Sequence, residues 1–140
     1  MRDTVVKNIR QRFRSYSLLF EQIAEDSLTL QLPVAMSKSV GEHMWCIVGA
    51  RESYTRALLN GKWDGFACSL KSDSNYSEIK KALDDSSRSF DDALAAVKVW
   101  TEERDDLLVH LLEHETMHEG QLIRHLYALG ETVPSSIKWA

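Results

Sequence analysis

TEERDDLLVHLLEHETMHEGQLIRHLYALG, residues 101–130, has one internal glycine, Gly120, and no proline before Gly130 and Pro134. Thr101 is placed to cap a helix, and Glu102 and Glu103 follow where the helix dipole favours negative charge. The segment predicts a long helix from Thr101 to Leu129, stopped by Gly130 and Pro134. With Leu107 set at zero and ~100° per residue, Leu111, Leu122 and Leu129 fall between about 40° and 60°. Asp106, Glu113 and Arg124 mark the solvent side near 250° by the same ~100° step. One apolar stripe on a helix this long requires other helices to cover it.

Three more stretches supply them. From about Thr4 to Glu25, Val5, Ile9, Phe13, Tyr16, Phe20 and Ile23 recur at three or four residues, which lines one helix face. A second helix opens at Ser39-Val40-Gly41-Glu42, a capping-box pattern, and ends at Asn60-Gly61. A third is expected from Tyr76 to Trp100, with Ile79, Leu83, Phe90, Leu94 and Val97 inward. The polar stretch from Gly61 to Asn75 carries Trp63, Phe66 and Leu70 and is expected to pack back on the helices. The reading is all-α: a single domain over residues 1–140, folded as a four-helix bundle, where facing helices can build a metal site.

The chain has 140 residues, a formal charge of -4, 2 cysteines and 44% hydrophobic residues. That composition excludes a disordered chain and supports a core that needs no disulfide. Mixed charges argue against a nucleic-acid or membrane surface. Lys7, Arg10, Arg12 and Arg14 form one local basic cluster, read as a solvated helix face. With no long apolar run and no signal-like N-terminus, the expected location is cytoplasmic. Cys46 and Cys68 lack metal or redox spacing and are expected to be reduced thiols.

Of 5 histidines, His110, His114 and His118 recur every fourth residue in the last helix. His114 and His118 are about 40° and ~6 Å apart, close enough to share one ion. His118 lies at about 20° on the wheel, His114 at about 340° and His110 at about 300°, which turns His110 toward water. His118 and His125 are about 10.5 Å apart along the axis, too far for one ion at normal His–metal bond lengths, so only neighbouring pairs are feasible. On helix two, His43, Ile47, Ala50 and Tyr54 follow an inward ladder, making His43 the candidate third ligand. Periodicity leaves open whether helix two faces helix four.

His114-Glu115-Thr116-Met117-His118 also fits H-E-x-x-H, in which the Glu serves as general base on a metal-activated water. The extended protease form requires Gly and His where Gln121 and Arg124 stand, so a peptidase is disfavoured.

The run from His114 through Glu119-Gly120-Gln121, followed by Tyr127, Gly130 and Pro134, resembles the signature of the DinB-like superfamily. That resemblance implies a four-helix bundle in which a histidine of the second helix joins two from the last to bind a divalent metal. The matching residues are His43, His114 and His118. The family commonly has Arg before Gly-Gln, where this chain has Glu119, so an anionic ligand held by that Arg is not implied here. Some relatives are thiol-dependent transferases or isomerases using bacillithiol, mycothiol or glutathione.

The resulting expectation is a divalent-metal-binding DinB-like protein with thiol-dependent S-transferase activity on a small-molecule substrate. Zinc or nickel is the expected metal, with iron or manganese as alternatives, and three neutral imidazoles would leave open positions for a thiol. The resemblance alone implies a homodimer. Two other readings stay open: a non-catalytic stress-response metal-binding module, and a small metallohydrolase. Glu115 is the candidate catalytic residue, with an interhelical salt bridge as its alternative. Gln121 is expected near the site or as a surface amide, and Trp45 and Tyr54 in the pocket lining or the core. The open side of the metal is expected between helix two and the Gly61 to Asn75 stretch.

Overall fold

The structure, a computed structural model, describes residues 1–137. Four α-helices make up the fold: α1 (Arg2–Glu21), α2 (Val40–Asn60), α3 (Tyr76–Ala96) and α4 (Glu102–Ala128). Short 3-10 turns at Glu25–Ser27 and Ser135–Ile137 complete it. α2 packs on α3 and α4, and α1 packs on the same two helices, so α1 and α2 stand diagonally across the bundle. The contact of α2 with α4 answers the question periodicity left open. No helix among the described residues is long and apolar enough to cross a membrane.

The helix ends follow local chemistry. Ser39 Oγ accepts from the Glu42 amide at 3.1 Å while the Ser39 amide donates to Glu42 Oε2 at 2.6 Å, so two otherwise free donors of the first turn of α2 are satisfied. Gly61 closes α2 in the left-handed region at φ 78, where a side chain is disfavoured. Thr101 Oγ1 accepts from the Arg104 amide and starts α4. Two ends fall short of expectation. α1 stops at Glu21 although Ile23 is still buried, and α3 stops at Ala96, with Val97 extended at ψ 110. After α1 the inward spacing continues because Ile23 stays against the core once the chain has left the helix, whereas Val97, expected inward, belongs to neither apolar cluster.

Two apolar clusters fill the bundle. One joins Tyr16, Phe20, Met44, Ile47, Leu83 and Leu122 among others; the second joins Ile9, Phe13, Ala57, Phe90, Leu107 and Leu111. Between their levels on α2 and α4 stand Arg51 and Glu115, both fully buried. Arg12 is also buried, which corrects the expectation of a solvated basic face: its Nη1 donates to Glu119 Oε2 at 2.5 Å. Arg10, from the same cluster, pairs at the surface with Asp91.

The segment after α2 packs back as expected. Its Phe66 ring lies against Gly49, where a Cβ would sit 2.3 Å from the ring. Phe66 also meets Trp45 at 5.1 Å between centroids, and Trp63 meets Tyr54 at 4.8 Å. These aromatics cover one side of α2.

Candidate metal centre

α2 and α4 bring four imidazoles into one row. His43 Nδ1 lies 2.9 Å from His118 Nδ1. The His114 ring sits 4.5 Å from that of His118, and the His125 ring 5.3 Å from that of His43. His43, His118 and His125 are buried, His114 is half-buried, and His110 is exposed. The three histidines singled out by spacing and by the family pattern are thus neighbours. His125 joins them because His43 reaches in from α2 beside it, a relation that distances along α4 alone do not contain.

Burial governs the protonation of all four. It lowers the His43 pKa to about 4, with His125 and Lys38 adding to the effect. It lowers that of His118 to about 3, reinforced by His114, His43 and Lys38. His114 and His125 are lowered in the same direction, again first by burial. Neutral imidazoles carry one bare lone pair each, the form a metal requires.

The donor set fits a divalent cation. His114 Nδ1 and His125 Nε2 are buried without a hydrogen-bond partner, an arrangement that costs free energy unless something electrophilic is received. Two imidazole nitrogens on one tetrahedral ion stand ~3.3 Å apart for ordinary zinc bond lengths, close to the separation of His43 and His118. Without an ion, a single N–H between the two satisfies both. Among the described residues, no three His, Cys, Asp or Glu side chains stand together so that they could hold a metal ion as placed. Binding therefore requires rotation of side chains about this pair.

A cleft of about 380 Å³ opens beside the row and is lined by His43, His118 and His125. Its outer wall is the loop before α2, with Leu32, Val34, Met36 and Lys38, and Met117, Gln121 and Arg124 close the α4 side. This corrects the expected lining: the Gly61 to Asn75 stretch does not line the cleft. Trp45 lines a neighbouring cleft with Lys38 and Cys46, and Tyr54 packs on Trp63. Gln121 borders the cleft and hydrogen-bonds His118.

Lys38 went unnoticed in the sequence. It borders both clefts, its Nζ lies 2.7 Å from Cys46 Sγ, and its backbone hydrogen-bonds His125. Its position just before the Ser39 cap was the available signal, since a residue there is fixed against the start of α2. Both cysteines are free. Burial pushes the Cys68 thiol up to about 11, so it is no nucleophile.

Glu115, the candidate acid–base residue, is placed differently from what that role needs. Its Oε1 and Oε2 accept from Arg51 Nε and Nη2 at 2.9 and 2.8 Å, its side chain is fully buried, and it does not line the cleft. The interhelical salt bridge is the arrangement found. Burial raises its pKa, against the pull of Arg51.

The family model of the DinB family matches residues 3–137. No curated protein matches the chain.

Proposed function

Because the chain belongs to the DinB family, we propose that it binds one divalent metal ion at His43 and His118, with His114 completing the set, and that it presents a low-molecular-weight thiol for S-transfer. The observation that carries this reading is the 2.9 Å approach of two neutral, buried imidazoles, flanked by two more that each hold one buried ring nitrogen without a partner. Zinc or nickel suits imidazole donors best, with iron next and manganese the poorest match to its nitrogen ligands. A divalent cation bound there supplies charge that acidifies a thiol and favours the thiolate.

The cleft residues divide the remaining work. Leu32, Val34, Met36 and Met117 offer an apolar wall against which a small substrate loses water. Lys38 and Arg124 place positive charge at the rim, and no carboxylate lines this cleft to repel a thiolate. Gln121 holds His118 in orientation. A hydrolase reading loses its general base, since both Glu115 oxygens are engaged with Arg51. A metal-binding module without turnover keeps every feature of the histidine row and is the second reading.

Metal analysis of protein purified without an affinity tag tests the cation; an empty, unresponsive protein would sink the reading. Adding bacillithiol, mycothiol, glutathione or cysteine to the cobalt-substituted protein tests the thiol. A changed visible spectrum is expected for a thiolate ligand. No change with any of the four leaves the non-catalytic module as the better reading. The expected homodimer is checked by sedimentation of the same preparation.

A further inference from the structure

Cys46 stands on α2 and Cys68 on the Gly61 to Asn75 stretch, both as free thiols. Gly49 brings them together. It lies three residues after Cys46, and side chains at that spacing share a helix face with about 5–6 Å between their Cβ atoms. A Cβ on Gly49 would meet that of Cys68 at 2.9 Å, so Cys68 fills the space of a side chain at 49, one step along the helix face from Cys46. Its Sγ donates to the Trp45 carbonyl at 3.4 Å, and the same peptide unit carries the Cys46 amide. The two sulfurs are close enough that charge on Cys46 opposes ionisation of Cys68. A disulfide needs Cβ atoms roughly 3.5–4.5 Å apart. The remaining gap falls to residues 66–69, which form no helix or strand, are mostly exposed, and lie over a glycine with no side chain to block a small shift.

The two thiols differ in their surroundings. Cys46 lines an open cleft of about 450 Å³ with Glu42, Trp45, Lys71 and Asp73, and Lys38 Nζ donates to its sulfur at 2.7 Å. A partly exposed sulfur beside a cationic donor is the setting of reactive cysteines. Cys68 is outside that lining, and burial pushes its thiol up to about 11, so outside reagents meet Cys46 first. What Cys68 lacks as a free nucleophile it regains by position, because a sulfur held beside its target reacts at an effective concentration that no dissolved thiol reaches.

We propose that Cys46 and Cys68 form a redox-active dithiol that exchanges with low-molecular-weight disulfides, with Cys46 as the attacking thiol and Cys68 as the resolving one. Cys46 attacks one sulfur of a small disulfide RSSR, forms a mixed disulfide, and one RSH leaves with the proton that Cys46 gave up. Cys68 then attacks Cys46 Sγ, the bond to the small thiol breaks, and a second RSH leaves with the Cys68 proton. Two protein sulfurs are oxidised and one small disulfide is reduced to two thiols, so atoms and electrons balance. The new bond pins the Gly61 to Asn75 stretch to α2 and takes the Cys46 sulfur from Lys38, which also lines the histidine cleft. This dithiol stands apart from the cation reading, since no metal takes part in the exchange.

Oxidised glutathione is the probe, with products read by intact mass and by peptide mapping under non-reducing conditions. Wild-type protein is expected to end lighter by two hydrogens, with the peptides of Cys46 and Cys68 joined, at a rate that does not change with protein concentration. Cys68→Ser should stop at a protein heavier by one glutathionyl group on Cys46, and Cys46→Ser should give neither product. In a glutathione buffer, the folded protein should hold the bond against at least about tenfold more reducing conditions than the same chain in urea, because the fold supplies the proximity. A wild-type protein that stays reduced, stops at the glutathionyl adduct, or links two chains instead overturns the proposal. So does a bond held no better in the folded protein than in urea. A glutathionyl group on Cys68 in Cys46→Ser overturns the assigned order of attack. Mapping and equilibrium of the wild-type protein carry the test if a serine variant fails to fold.

Discussion

Arg51 and Glu115 face each other across α2 and α4 through two hydrogen bonds, with neither side chain exposed to solvent. The Arg51 guanidinium also lies over the Phe13 ring at 4.0 Å, and the Glu115 carbonyl accepts from the Tyr16 hydroxyl at 2.5 Å. The pair therefore ties α1, α2 and α4 together at the level where the two apolar clusters meet. Its sequence position, between two metal-ligand candidates, suggests chemistry; its surroundings make it structural.

Removing one partner leaves the other charge buried and uncompensated. Glu115→Gln is expected to cost about 3–5 kcal/mol of stability. Replacing both partners, as Arg51→Met with Glu115→Leu, should recover most of it, because apolar side chains of similar volume remove the desolvation penalty. Urea unfolding of the three variants reads this directly. A Glu115→Gln protein as stable as wild type would contradict the structural assignment.

The same logic explains what the sequence did and did not reveal. Helix starts were legible because Ser39 with Glu42, and Thr101 with Arg104, act within one turn. Helix ends at Glu21 and Ala96 were not, because Ile23 continues the apolar spacing after the helix has stopped. Arg12 looked like one of four solvated basic residues, since nothing local announces a partner 107 positions away. Glu119, conspicuous as a departure from the family's usual Arg, is the other half of that buried pair. His43, His114 and His118 were readable from spacing and resemblance. His125 was set aside as a co-ligand of His118 by its distance along α4, and its place beside His43 is a relation across helices that such distances do not contain. The lack of side chains at Gly41 and Gly49 lets the Gly61 to Asn75 stretch lie against α2, a close approach that no local pattern announces.

Acid should loosen the metal-free protein. In the unfolded chain histidine takes up a proton near pH 6.5. In the fold His43 resists protonation to about pH 4 and His118 to about pH 3, chiefly because they are buried. Between those limits the unfolded state binds more protons, so stability is complete above pH ~6.5 and declines as pH falls, by roughly 1 kcal/mol per pH unit for each histidine. Urea midpoints from pH 7 to pH 4 test the slope. His118→Ala should flatten it; an unchanged slope would remove His118 as a contributor.

Cation binding should depend on the central pair and not on the exposed histidine. His43→Ala or His118→Ala should each abolish uptake, because these two rings make the close approach about which an ion would be held, whereas His110→Ala should leave it intact since His110 faces solvent. Chelation should leave the helices in place, because the two apolar clusters do not depend on a metal. Metal analysis and far-ultraviolet circular dichroism after chelation make the comparison. A fold that melts with chelator would show the ion to be structural.

Tryptophan fluorescence should locate the ion along α2. Trp63 packs on Tyr54, which is eleven residues beyond His43 and so about 16.5 Å farther along the helix axis. Trp45 is only two residues from His43, about 3 Å along the same axis, although its ring turns to Phe66 and its Nε1 donates to the Leu70 carbonyl. In proteins keeping one tryptophan and carrying Phe at the other three, saturating cobalt should quench Trp45 strongly and Trp63 weakly. Equal quenching would require an ion midway between them, nearer Arg51 than His43. Stronger quenching of Trp63 would move the ion to the other end of α2, outside the histidine row altogether.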